Sequence, residues 1–170
     1  RARGQRCRWR RDRRRGRDRR AAAHADRTRR DRERQSYRGD GAQLLTACND
    51  GRARIYDAAS GALVREFVHP GKVMAATWSD DGQSVVTAGW DGVARIWDAA
   101  TGELRRTIVA GSTQLLHARL SHDGQLVAAS GHDGEVAIWR VRDGARVRSL
   151  DGHTGPATSV AWSPDGALLV

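Results

Sequence analysis

Three groups of residues have types and spacing that could do chemistry. His69, Thr87 and Asp91 supply the base, hydroxyl and carboxylate of a nucleophile triad. Asp50, Asp91 and Asp133 recur as carboxylates suited to general acid–base work, and His117, His122 and His132 crowd into one stretch as candidate metal ligands. A triad needs an exposed nucleophile beside an oxyanion hole, whereas a threonine and an aspartate also stand 41 residues earlier as Thr46 and Asp50, which marks the set as architecture. Each of the three aspartates precedes a glycine, the pairing of a tight turn, so turn formation explains them more simply than proton transfer. The histidines lack a partner at a recognised ligand spacing and read as surface or loop residues. No GxxxxGK[ST] or GxGxxG stretch follows a strand to cradle phosphate. Cys7 and Cys48 are far apart and form no CxxC, so neither a disulfide framework nor a zinc site is expected. Cys48 reads as a small buried side chain, and a reduced, cytoplasmic setting fits. The expectation is a chain with no catalytic residues, no metal and no cofactor.

The elements that would position these residues repeat. Asp-Gly recurs as Asp40-Gly41, Asp81-Gly82, Asp123-Gly124 and Asp165-Gly166, and again as Asp50-Gly51, Asp91-Gly92 and Asp133-Gly134, every spacing being 41 or 42. An aromatic follows each turn of the second series (Tyr56, Trp97, Trp139), and then a small loop (Ser60-Gly61, Thr101-Gly102, Asp143-Gly144). Between the markers lie strand-sized apolar runs: Val73–Trp78, Ser84–Ala88, Val93–Trp97 and Glu103–Ile108. Four strands per period, closed by Asp-Gly and Gly-bearing loops, predict a four-stranded antiparallel meander. The first strand of each period, as in Val73–Trp78 and Ala157–Trp162, is the most continuously apolar and is expected to be buried on both faces. Helical solenoids are excluded, because no segment after Gly39 runs ten residues at helical spacing without a breaker.

The string Val85-Val86-Thr87-Ala88-Gly89-Trp90-Asp91-Gly92-Val93-Ala94-Arg95-Ile96-Trp97-Asp98 resembles the WD-repeat signature, and Gly152-His153 resembles its Gly-His element. The first two repeats share fourteen identities over the twenty-five positions from Gly41 to Arg65. The resemblance implies an all-β fold, a partial β-propeller with one blade per repeat: about 39–67, 68–109, 110–150 and an incomplete 151–170. It also implies that His69, Thr87, Asp91 and Trp97 form a buried structural set, with the Asp carboxylate accepting from the His and the hydroxyl linking His to indole. The first repeat has Tyr56 for the Trp, and its His position falls in the Arg-rich start. The third repeat has Gly111 and Ala129 at the His and hydroxyl positions, so its blade is expected to be looser. The implied function is a scaffold binding proteins or peptides through the propeller's top face. Lys72, Met74 and Trp90 are the candidate contacts in the second repeat, with Asn49, Gln114, Leu116, His132, Pro156 and Thr158 at aligned positions. The implied alternative is an accessory propeller of a larger bacterial signalling protein, with a kinase or nucleotide-hydrolysing domain upstream.

Charge divides the chain. Residues 1–38 carry eighteen Arg against five acids, and the remainder carries twelve basic residues against fifteen acids. The Arg-rich start is too poor in apolar residues to build a core and is expected to be disordered. Three readings stay open for it: a linker from an upstream domain, an out-of-frame translation of GC-rich DNA, and, less favoured, a basic arm that binds nucleic acid through counterion release. No apolar stretch approaches the length of a membrane span. The chain opens on Arg1, has its only Met at Met74 and stops at Val170 in an apolar run, so a fragment of a longer protein is expected, with further propeller blades outside it.

Overall fold

The computed structural model describes residues 34–111 and 114–170. The readings of residues 1–33 lie outside them. Twelve strands form three antiparallel sheets, each with its four strands in chain order. The first holds β1 (Arg34–Tyr37), β2 (Gln43–Cys48), β3 (Arg52–Asp57) and β4 (Leu63–Val68). The second holds β5 (Val73–Trp78), β6 (Ser84–Gly89), β7 (Val93–Asp98) and β8 (Leu104–Val109). The third holds β9 (Leu115–Leu120), β10 (Leu126–Gly131), β11 (Val136–Arg140) and β12 (Arg146–Leu150). These are propeller blades, and the described residues contain no helix that is long and apolar enough to cross a membrane.

The Asp-Gly pairs make the turns. In the β5–β6 turn Gly82 takes a φ of 66°, and the Asp81 carboxylate accepts the Gln83 N–H at 2.9 Å. In the β6–β7 turn Gly92 takes 74°, and Asp91 accepts the Val93 N–H at 3.2 Å. A positive φ is free only to glycine, and an aspartate two residues before an amide caps it. That division of labour explains why the dipeptide recurs.

Two sequence boundaries need correction. The first blade begins at Arg34, inside the stretch assigned to disorder, because residues 34–37 pair with β2 in the register Gln35↔Thr46 to Tyr37↔Leu44. Ladder hydrogen bonds come from the backbone, so an edge strand of polar side chains still pairs while showing no apolar alternation. Conversely, Ala157–Trp162 is not a strand: its pairing is confined to the single bridge Trp162↔Leu169.

Alternation within each sheet feeds two cores. In β6, Val85 joins Leu45, Ala47, Ile55 and Phe67 of the first blade, whereas Val86 and Ala88 join Leu120, Val127 and Ala129 of the third. All six residues of β6 are therefore buried. The first strand, β5, is less so, since Met74 and Thr77 stay half-buried. A strand at the edge of its sheet has one side without a neighbour, which the apolar run alone did not show. A third cluster sets Ala157 and Val160 against Ala128 and Val136. Hydrogen bonds stitch the seams as well: Thr77 Oγ1 donates to the Ala118 carbonyl at 2.9 Å, and Arg106 Nη2 donates to the Arg142 carbonyl at 2.7 Å.

Phe67 is 1% exposed in the first seam, and Val109 is 72% exposed on an outer strand. Phe67→Ala is expected to cost about 3–5 kcal/mol through its lost burial and the cavity left behind, while Val109→Ala stays within about 0.5 kcal/mol. Urea unfolding of the two variants checks the contrast.

Candidate functional site

His69 follows β4 and reaches across the seam into the second blade. Its Nε2 lies 2.7 Å from Thr87 Oγ1, and the Trp97 indole N–H donates to that same oxygen at 2.8 Å. On the other side of the ring, Nδ1 lies 2.8 Å from Arg95 Nη1. A guanidinium can only donate, so Nδ1 is the acceptor and the proton sits on Nε2. Thr87 Oγ1 then accepts twice and donates to the Arg95 carbonyl at 3.3 Å. Every polar atom of this chain is used. Burial, and then the Arg95 charge, push the His69 pKa down to about 4 against the opposing pull of Asp91, so the ring works neutral.

The expected direct bond from His69 to Asp91 is replaced by a bridge. Arg95 Nη2 donates to Asp91 Oδ2 at 2.7 Å, and its other arm serves the histidine. Asp91 is also not buried, its side chain keeping a quarter of its exposure. Burial favours its protonated form, but the Arg95 guanidinium and the Val93 N–H outweigh that and hold its pKa below the ordinary carboxylate value. Gly89 leaves room for this carboxylate, since a Cβ there would stand 2.1 Å from Asp91 Oδ1. Sequence reasoning missed Arg95. The available signal was Arg54, in the same place one repeat earlier and likewise four residues after its aspartate. Arg54 binds Asp50 at 2.8 Å but turns its Nε to Glu66 at 2.9 Å.

The third blade has no counterpart to this wiring, because Gly111, Ala129 and Ala137 stand where His69, Thr87 and Arg95 do. Its Ser130 hydroxyl is buried and has no hydrogen-bond partner among the described residues. As for chemistry, Thr87 is 0% exposed and its hydroxyl is fully engaged, so the triad-like set presents no nucleophile. Among the described residues no cluster of three or more His, Cys, Asp or Glu could hold a metal ion, and Cys48 is buried.

The second group lies on the surface at the seam between the second and third blades. The Trp90 N–H donates to the Lys72 carbonyl and the His132 N–H to the Gln114 carbonyl, both at 2.9 Å, which fixes the residue before each turn beside the residue before each first strand. Lys72 Nζ sits 5.2 Å above the Trp90 ring, and the His132 ring meets Trp90 edge-on at 6.4 Å. Lys72, Trp90 and His132 thus form one group drawn from two blades, with Trp90 38% exposed.

Met74 and Leu116 are the extra residues of matching β-bulges, in β5 opposite Ala88 and Gly89 and in β9 opposite Ser130 and Gly131. Met74 remains half-buried, whereas Leu116 is only 8% exposed and leaves the set of surface contacts. At a bulge the in–out alternation lapses, so the repeat alignment could not assign its direction. Asn49, Pro156 and Thr158 are exposed, and no ring or hydrogen-bond contact among the described residues joins them to the Trp90 group.

Two outcomes test the buried wiring. Asp91→Ala is expected to cost about 1–3 kcal/mol by releasing Arg95 from its carboxylate, and more than Asp133→Ala, where Ala137 leaves no guanidinium to release. His69 has a depressed pKa in the fold, so its contribution is complete above its unfolded value of 6.5 and is lost as pH falls through that value toward about 4. Urea midpoints taken between these limits are expected to fall more for the parent chain than for His69→Gln, which does not titrate.

The family model described as WD domain, G-beta repeat matches residues 61–98, 102–140 and 144–170. No curated protein matches the chain. Each match begins at a turn glycine ahead of an outer strand, so a sequence repeat takes the outer strand of one blade and the inner three of the next. Repeats of this kind generally build protein-interaction scaffolds. With this match and three meander sheets 41 to 42 residues apart, the chain belongs to the WD-repeat family.

Proposed function

We propose that this chain is a scaffold without chemistry of its own, docking a partner protein on the surface formed by Lys72, Trp90 and His132. The carrying observation is the placement of Trp90. It occupies a turn position filled by Asn49 and His132 in the neighbouring repeats, so the fold does not require a large aromatic there, yet it stays 38% exposed. Lys72 stands over the indole, and the His132 ring packs against it in a T-shaped contact. The partner this surface fits is a segment with an apolar anchor for the free part of the indole and an acceptor for the Lys72 ammonium. Partly exposed tryptophan is the side chain most often found to dominate binding energy when a partner completes its burial. The half-buried thioether of Met74 adds adaptable apolar surface nearby. A reduced, cytoplasmic setting belongs to the same reading and is supported by the cysteine pattern, since Cys7 and Cys48 stand far apart in the sequence and form no CxxC.

Peptides selected from a random display library on the immobilised chain supply the test. Trp90→Ala is expected to weaken their binding by about 2 kcal/mol or more, with little change in melting temperature, measured by calorimetry and by thermal unfolding. Selected peptides that bind the variant as well as the parent, or a variant that melts early, would count against this surface.

A further inference from the structure

His122 occupies the β9–β10 turn and touches two other blades at once. Its Nδ1 makes an ion-paired hydrogen bond to Asp80, in the β5–β6 turn of the second blade. Its Nε2 lies 2.8 Å from the carbonyl oxygen of Ser163, in the turn that opens the fourth repeat. Both partners are acceptors with no proton to give. The ring therefore holds both only as an imidazolium, the reverse of His69, whose Nδ1 receives a proton from Arg95. A neutral His122 must turn a lone pair toward either the carboxylate or the carbonyl, so one of the two contacts is lost.

The charges around the ring favour the proton. Asp80, Asp123 of its own turn and Asp165 of the fourth repeat face it, and Arg119 is the opposing cation, 3.9 Å from Asp80. Gly166, with a φ of 71°, packs beside the imidazole, the position of a Cβ there lying at ordinary van der Waals distance, 3.8 Å, from the His122 Cδ2. The other hydrogen bonds between the third blade and this segment are longer: Ala157 N–H to the Gly131 carbonyl at 3.1 Å, and Val160 N–H to His117 Nδ1 and the Trp162 indole to the Arg119 carbonyl, both at 3.4 Å.

We propose that His122 is a proton-controlled latch: as an imidazolium it ties the corresponding turns of three successive blades, and on deprotonation it lets go of the segment that begins the fourth. The hydrogen bond to Asp80, and then the Ser163 carbonyl, raise its pKa above the ordinary 6.5. With a raised folded value the tie is complete below 6.5 and is lost as pH rises through the folded pKa.

Amide hydrogen exchange of the full chain tests this, each rate being normalised to an unstructured peptide at the same pH. The reporters are the Ala161 and Val170 amides, which bond to each other's carbonyls at 2.7 and 2.8 Å. Their protection is expected to fall by about 5-fold or more between about pH 6 and about pH 8.5, while the amides of β6 keep theirs. His122→Gln is expected to show low protection at both values with no step. Asp80→Asn, which keeps the ring, is expected to move the step to lower pH together with the imidazole titration read by NMR. This second variant decides the matter if His122→Gln loosens the whole chain. A step retained in His122→Gln, a step unmoved in Asp80→Asn, equal protection at both pH values in the parent, or a His122 imidazole titrating at or below its ordinary value would each overturn the proposal.

Discussion

A single four-stranded sheet has two apolar faces and nothing of its own to cover them. Here the preceding and following sheets cover them, and the whole structure depends on that shared burial. Val85 points into one seam and Val86 into the next, and β7 likewise sends Ala94 and Ile96 one way and Trp97 the other. At roughly 25 cal/mol per Å² of apolar surface removed from water, these seams supply the cohesion. The hydrogen-bond ladders fix only the order and register within each blade. Because contacts run between nearest neighbours, a change in one seam is felt mainly in the two blades that share it.

Polar side chains then decide how firmly particular seams are fastened. His69 and His122 each span a seam and work in opposite protonation states, for reasons visible in their neighbours. A guanidinium on Nδ1 makes His69 a neutral donor through Nε2, and two acceptors make His122 a cation. One sits in a buried seam, where charge is costly, and the other lies at the solvent edge among aspartates. The third blade lacks such wiring, with Gly111, Ala129 and Ala137 at the corresponding places.

This division leaves the turns free to carry function. A turn needs its aspartate and glycine, while the residue before the aspartate has no assigned task in folding and is Asn49, Trp90 or His132 in the three blades. A binding surface can therefore change there without disturbing the seams. The lone lysine of the chain, Lys72, stands over the one tryptophan found at such a position.

Much of the fold was legible in the sequence because its causes are local. A glycine at positive φ after a capping aspartate, and apolar alternation at period two, are properties of a few consecutive residues, and they placed β5 to β8 to within one residue of where they lie. Lys72 and Trp90 were named together only through the family resemblance, which sets both on one face of the propeller. What tertiary structure alone decided were the relations across seams, where distance along the chain carries no information. It inserted Arg95 between His69 and Asp91, brought His122 to Asp80 and Ser163, turned Leu116 inward at a bulge, and recruited Arg34–Tyr37 as an edge strand. Each of these was settled by which backbone or side-chain groups of a neighbouring strand or blade stood within hydrogen-bonding or packing distance, and that depends on how whole sheets stack.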